Sequence, residues 1–266
     1  MSWFLGTAIA TSVYGLAAGL LVPGIIGHVP EPRPEPEPEP ELRPESEPEL
    51  WQESGQERQA ENDEAGATAR PETPKELYAD IARRPGLRWK SALATALVAG
   101  LLGGRIGWTP ELAFLLYLAP VGVALAVIDW RTRLLPTKLI APSYVVVAGL
   151  VVVAAWSEGD WGRLAGAGAG WLVAGGTFFA LWFVYPKGMG YGDVRLSGLL
   201  GITLGCLGWG ELLTGVYAGF LLGGVGGLVL SWLRIVDRKA YPFGPFMLVG
   251  ALVGVLAGPN LAAWYA

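Results

Sequence analysis

The stretch Tyr185-Pro186-Lys187-Gly188-Met189-Gly190-Tyr191-Gly192-Asp193-Val194-Arg195-Leu196 stands between two apolar runs, 164–184 and 194–209. It reads as helix, break, helix. Pro186 stops the first helix, because its ring removes a backbone donor and clashes with the preceding turn. Gly188, Gly190 and Gly192 recur at spacing two. Glycine lets a backbone pass close to another chain and take conformations closed to other residues, so a substrate strand could lie against this run. Asp193 opens the next helix, where the peptide dipoles favour negative charge. A carboxylate beside the bilayer interior is costly and marks a functional site by default. The plainer reading is an N-terminal cap next to a loop, but a cap does not need the Gly-x-Gly-x-Gly spacing before it.

Working outward, the chain is 52% hydrophobic and 16% charged. Soluble domains carry roughly 25% charged residues, so an ordinary soluble protein is excluded. A bilayer core of roughly 30 Å needs about 20 apolar residues per helix, which predicts an all-α, polytopic membrane protein of about eight spans. These fall at 3–26, 91–107, 111–128, 139–156, 164–184, 194–209, 212–233 and 245–265. Pro110 suits the first turn of the third span, where its missing N–H does no harm. The first segment lacks a basic leader and an Ala-x-Ala cleavage site, so it reads as a retained span rather than a signal peptide.

Loop charges orient the spans. Arg83, Arg84, Arg88 and Lys90 precede span two, and Arg131, Arg133 and Lys138 follow span three. Lys187 and Arg195 flank the glycine run, and Arg234, Arg238 and Lys239 follow span seven. The alternate loops are poorer in positive charge. By the positive-inside rule the N- and C-termini are outside, and loops 27–90, 129–138, 185–193 and 234–244 are cytoplasmic. The expected location is the cytoplasmic membrane, with lipid as a partner. No basic nucleic-acid footprint is present.

The expected domains are a first transmembrane helix (1–27), an acidic segment (28–74), a juxtamembrane segment (75–90) and a membrane core (91–266). In the acidic segment proline alternates with glutamate, as in Glu31-Pro32-Arg33-Pro34-Glu35-Pro36. Such sequence favours extended chain and cannot bury a core, so a disordered cytoplasmic loop is expected. Over Pro74–Lys90 a short amphipathic helix is expected, with Leu77, Ile81 and Trp89 toward the bilayer. Small residues three and four apart, as in Gly162-Arg163-Leu164-Ala165-Gly166-Ala167-Gly168-Ala169-Gly170, predict close helix packing in lipid. The tryptophans near span ends read as interfacial anchors. One cysteine, Cys206, and one histidine, His28, exclude a disulfide framework and argue against a Cys/His zinc site. Cys206 reads as a packing residue and His28 as interfacial.

A second acid, Asp129, ends the apolar run of span three before Arg131 and Arg133. Alone it reads equally as an interfacial acid paired with one of those arginines. Together with Asp193 it suggests chemistry. Two carboxylates brought close cannot both ionise cheaply, so they share a proton. The ionised one takes a proton from water, and the protonated one polarises a scissile carbonyl. No metal is required. Without a usable histidine, a Ser-His or Cys-His nucleophile is excluded.

At this point the chain resembles the prepilin peptidases, membrane aspartyl proteases of the GxGD type. Gly190-Tyr191-Gly192-Asp193 matches their Gly-x-Gly-Asp, within Gly188-Met189-Gly190-Tyr191-Gly192-Asp193-Val194-Arg195-Leu196. Asp129 with Leu135-Pro136 resembles the first catalytic segment. Tyr241-Pro242-Phe243-Gly244-Pro245 resembles a Pro-Phe-Gly-Pro segment opening the last span, and 15–30 weakly resembles the first span and its exit. The resemblance implies about eight spans, with Asp129 and Asp193 as cytoplasmic catalytic residues. It implies removal of basic leader peptides from type IV pilin-like precursors, usually after glycine. Gly188, Gly190, Gly192, Pro242, Phe243 and Gly244 are expected to contact substrate.

The departures matter. Many members carry Cys-x-x-Cys pairs after the first span, thought to bind zinc; here the Pro-Glu segment stands instead, so no metal is expected. The first-span signature reads Gly19-Leu20-Leu21-Val22-Pro23. Many members also methylate the new N-terminus with S-adenosylmethionine; these two departures count against that activity, so no cofactor is expected unless it survives. An acid often found after Leu-Pro is replaced by Thr137. A rival reading is a small transporter or proton pathway using the two aspartates, for which acids near the midplane and broken helices in matching halves are expected.

Overall fold

The computed structural model describes residues 3–31, 76–186, 188–233 and 242–265. All regular structure among these residues is helical: α1 (Leu5–Gly19), α2 (Val22–Gly27), α3 (Tyr78–Ala82), α4 (Leu87–Ile106), α5 (Glu111–Thr132), α6 (Thr137–Glu158), α7 (Gly162–Gly170), α8 (Gly176–Val184), α9 (Tyr191–Leu207), α10 (Trp209–Trp232) and α11 (Gly244–Tyr265). Among the described residues, five stretches are long and apolar enough to cross a membrane: Leu5–Gly27, Glu111–Thr132, Thr137–Glu158, Gly162–Val184 and Gly244–Leu261. They coincide with five of the expected spans. The remaining three expected spans coincide with α4, α9 and α10.

The first expected span is not one straight helix. It bends between α1 and α2 at Leu20-Leu21. Residues 164–184 form α7 and α8 joined by the π-helical turn Trp171–Gly175, a wider turn that hydropathy cannot foresee. The amphipathic helix expected over 74–90 is corrected. Gly86, at φ 79°, separates short α3 from α4. Ile81 does not face lipid; it is fully buried with Val22, Ile26, Tyr78, Ala124 and Ile128. The expected disordered segment falls largely outside the described residues.

Helix packing runs through glycine. A methyl group added to Gly170 would strike the Gly201 carbonyl oxygen, and one on Gly205 would strike that of Gly166, so α7 and α9 touch backbone to backbone. Gly250 and Gly254 of α11 meet Gly219 and Gly215 of α10 in the same way. Gly15 and Gly19 of α1 lie on Thr95 and Ala92 of α4, and Ser91 Oγ donates to the Gly19 carbonyl at 3.0 Å. Close approach of this kind is how helices associate where lipid removes the hydrophobic drive.

Helix α9 is the centre of the core. Leu196 and Leu199 are fully buried, and Cys206 packs among the same apolar side chains. At the far end from Asp193, Arg163 joins the buried Glu111 at the start of α5 to Glu158 at the end of α6. That ion cluster ties the loops there together. His28 Nδ1 lies 2.7 Å from the Gly24 carbonyl oxygen.

Candidate active site

Asp129 stands in the last turn of α5, which Arg133 ends in the left-handed conformation at φ 56° while donating its N–H to the Asp129 carbonyl at 2.8 Å. The Asp129 side chain turns inward and is buried. Its Oδ2 accepts the backbone N–H of Gly244 at 2.9 Å. Among the described residues the ion pairs use Arg84 and Arg163. The alternative in which Asp129 pairs with Arg131 or Arg133 is therefore set aside.

Asp193 is the third residue of α9 and is buried. Its Oδ2 accepts the Gly190 N–H at 3.2 Å, and its own N–H donates to the Gly190 carbonyl at 3.0 Å. This local ring fixes both the start of the helix and the carboxylate. Asp193 lies within electrostatic reach of Asp129. The end of α5, the start of α9 and the start of α11 therefore meet at one place.

Leu135 is the residue that joins them. A methyl group on Gly192 would stand 2.7 Å from Leu135 Cβ, and one on Gly244 3.4 Å from Leu135 Cδ2 and 2.8 Å from Asp129 Oδ2. Glycine is needed at 192 and 244 because the Asp129 segment occupies the space of a side chain. Gly192 thus faces Leu135. Gly188 and Gly190 are exposed, and the Tyr185 ring covers one side of Gly188. Pro242 is buried. The Phe243 ring points into the core, 5.9 Å from each of Phe178 and Phe220.

Three contacts had no sequence signal. The Tyr144 hydroxyl donates to the Arg195 carbonyl at 2.7 Å, tying α6 to the start of α9. The Arg195 guanidinium bonds Thr137 Oγ1 and lies 4.6 Å over the Tyr191 ring. Thr137 and Arg195 thereby link the Asp129 segment to the Asp193 helix. Among the described residues, no three His, Cys, Asp or Glu side chains cluster as metal ligands would.

Residues 115–232 match the family model described as Type IV leader peptidase family. A "Prepilin leader peptidase/N-methyltransferase" of Aeromonas salmonicida is 34% identical over 192 residues, covering 69% of this chain and 61% of that protein. One of Pseudomonas aeruginosa is 30% identical over 177 residues, covering 65% and 59%. One of Escherichia coli is 32% identical over 142 residues, covering 50% and 58%. The chain thus spans about three fifths of the length of these curated relatives. No solved structure matches the chain. Residues 115–232, which hold Asp129 and Asp193, are thus similar to the Type IV leader peptidase family.

Proposed function

We propose that this chain is a membrane aspartyl endopeptidase that removes basic leader peptides from type IV pilin-like precursors at the cytoplasmic face of the cell membrane. The observation that supports the proposal is that Asp129 and Asp193, both buried, stand at the ends of two helices whose ends touch through Leu135 and Gly192. Their one-proton pair supplies both halves of the chemistry. The ionised carboxylate takes a proton from a water whose oxygen attacks the scissile carbonyl. The protonated carboxyl donates toward that carbonyl oxygen. Collapse breaks the C–N bond as the carboxyl that took the water's proton passes it to the departing nitrogen, which leaves as an amine. The Gly244 N–H holds Asp129 in place through its Oδ2, and the Gly190 N–H does the same for Asp193.

The positive-inside charge pattern supports eight spans with the N-terminus outside, which puts both aspartates on the cytoplasmic side. Exposed Gly188 and Gly190 offer bare backbone to an extended leader, and Gly192, Pro242, Phe243 and Gly244 shape the wall behind it. A transporter expects acids at mid-span, whereas both acids here stand in terminal turns.

Methyl transfer is not part of the proposal. A recess of about 300 Å³ beside α9 is lined by Tyr144, Trp171, Phe179, Tyr191 and Arg195. It has aromatic faces and one cation; the departures at Gly19-Leu20-Leu21-Val22-Pro23 and in the segment after the first span are what count against methyl transfer.

Asp129→Asn and Asp193→Asn should each abolish precursor cleavage while the protein stays folded in the membrane. Full processing by either variant overturns the two-aspartate mechanism.

A further inference from the structure

Arg195, at the start of α9, is held by α6 at two points. Thr137 is the first residue of α6, in the turn that Leu135-Pro136 carry away from Asp129. Its Oγ1 accepts a bond from the Arg195 guanidinium. Tyr144 follows seven residues later, two turns along the same face of α6, and its hydroxyl donates to the Arg195 carbonyl at 2.7 Å. Gly198, one turn after Arg195, makes room for that hydroxyl. A methyl group there would strike it and stand 3.1 Å from Trp171 Nε1. The Tyr191 ring, 4.6 Å from the guanidinium carbon, holds the Arg195 head over the helix start and toward Thr137.

Each aspartate has an anchor of its own, but neither anchor spans the two. Asp129 accepts from Gly244 at the start of α11, and Asp193 accepts from Gly190 just before its own helix. Leu135 on Gly192 joins the two segments by apolar contact, which is non-directional. Hydrogen bonds fix direction as well as distance. We propose that Thr137 and Tyr144, acting through Arg195, are positioning residues that set the spacing between Asp129 and Asp193. The inference rests on the endopeptidase reading above. Thr137 is exposed, so its bond contributes little to global stability. What it selects is one register of α9 against the turn that follows α5. An arginine serving as a lipid anchor would turn its head outward; this one is engaged by Thr137 and Tyr191.

The test uses the full chain in membranes with a pilin-like precursor. Thr137→Val keeps the branched shape and removes the hydroxyl, and Tyr144→Phe removes the donor alone. Each should lower kcat roughly 10-fold, short of the ~100-fold loss that a misplacement of about 1 Å brings, with KM and Tm unchanged. Thr137→Ser should recover kcat. Arg195→Met combined with Thr137→Val should cost no more than Arg195→Met alone, because both break one bond. Wild-type kcat in either Thr137→Val or Tyr144→Phe, a raised KM at unchanged kcat, or additive losses overturn the clamp. Spacing is also read without cleavage. The single cysteine, Cys206, is replaced by alanine, and Asp129→Cys and Asp193→Cys are joined with a short bis-methanethiosulfonate. Adding Thr137→Val should lower the yield of joined chain, and an equal yield overturns the clamp. No joining without Thr137→Val sinks the two-aspartate site and the clamp with it. Joining that depends on Thr137, in a chain whose wild type leaves the precursor whole, sinks the endopeptidase reading alone.

Discussion

Gly244 and Gly192 shape the candidate site as directly as Asp129 and Asp193 do. Each sits where a side chain would strike the Asp129 segment: 2.8 Å from Asp129 Oδ2 in one case, 2.7 Å from Leu135 Cβ in the other. Gly244→Ala should displace the Asp129 carboxyl and lower the cleavage rate by roughly 100-fold, the order of loss that a misplacement of about 1 Å brings. Gly192→Ala should act in the same direction by pushing α9 from Leu135. Steady-state cleavage in membranes, with thermal melting in detergent as the folding control, checks both; wild-type rates in either variant contradict this role. Asp129 and Asp193 were legible because an acid ending an apolar run stands out in one dimension. The reason for Gly192 was not. It depends on Leu135, remote in sequence, and a glycine run gives no hint of which neighbour demands it.

At the scale of elements, hydropathy and proline located the helices well. α8 ends at Val184, just before Pro186, and α5 begins beside Pro110. The bend at Leu20-Leu21 and the π-helical turn at Trp171–Gly175 were hidden, because both lie inside uninterrupted apolar sequence. The burial of Ile81 was hidden too, since it follows from α2 and α5 covering α3. Helix contacts yield two predictions. Gly201→Val should pry α7 from α9 and destabilise the protein by about 1–3 kcal/mol or more, the usual cost of overpacking. A melting temperature in detergent equal to wild type would contradict the backbone contact. Arg163→Met leaves Glu111 buried without its partner, at a cost on the order of 3 kcal/mol. Adding Glu111→Gln should recover part of that loss, and a double variant no more stable than Arg163→Met would argue against the ion pair as its source.

For the whole molecule, the acidic, proline-rich composition of 28–74 differs sharply from the apolar sequence on either side of it. Its part in function is not written there. A glutamate-rich arm could concentrate basic leaders electrostatically, but a solvated spacer is the simpler reading of such sequence. Deleting 31–70 should therefore leave cleavage unchanged at low and high salt. A rate that falls at low salt and recovers at high salt would instead give the arm a recruiting role.

The central claim is that Asp129 and Asp193 together cut a precursor at the cytoplasmic face. It is tested most directly by co-expressing the chain with a pilin-like precursor and measuring the mass of the precursor's N-terminus. The account predicts loss of the basic leader with wild type and an intact leader with Asp129→Asn or Asp193→Asn. An intact leader with wild type, or a trimmed one with either variant, would contradict it.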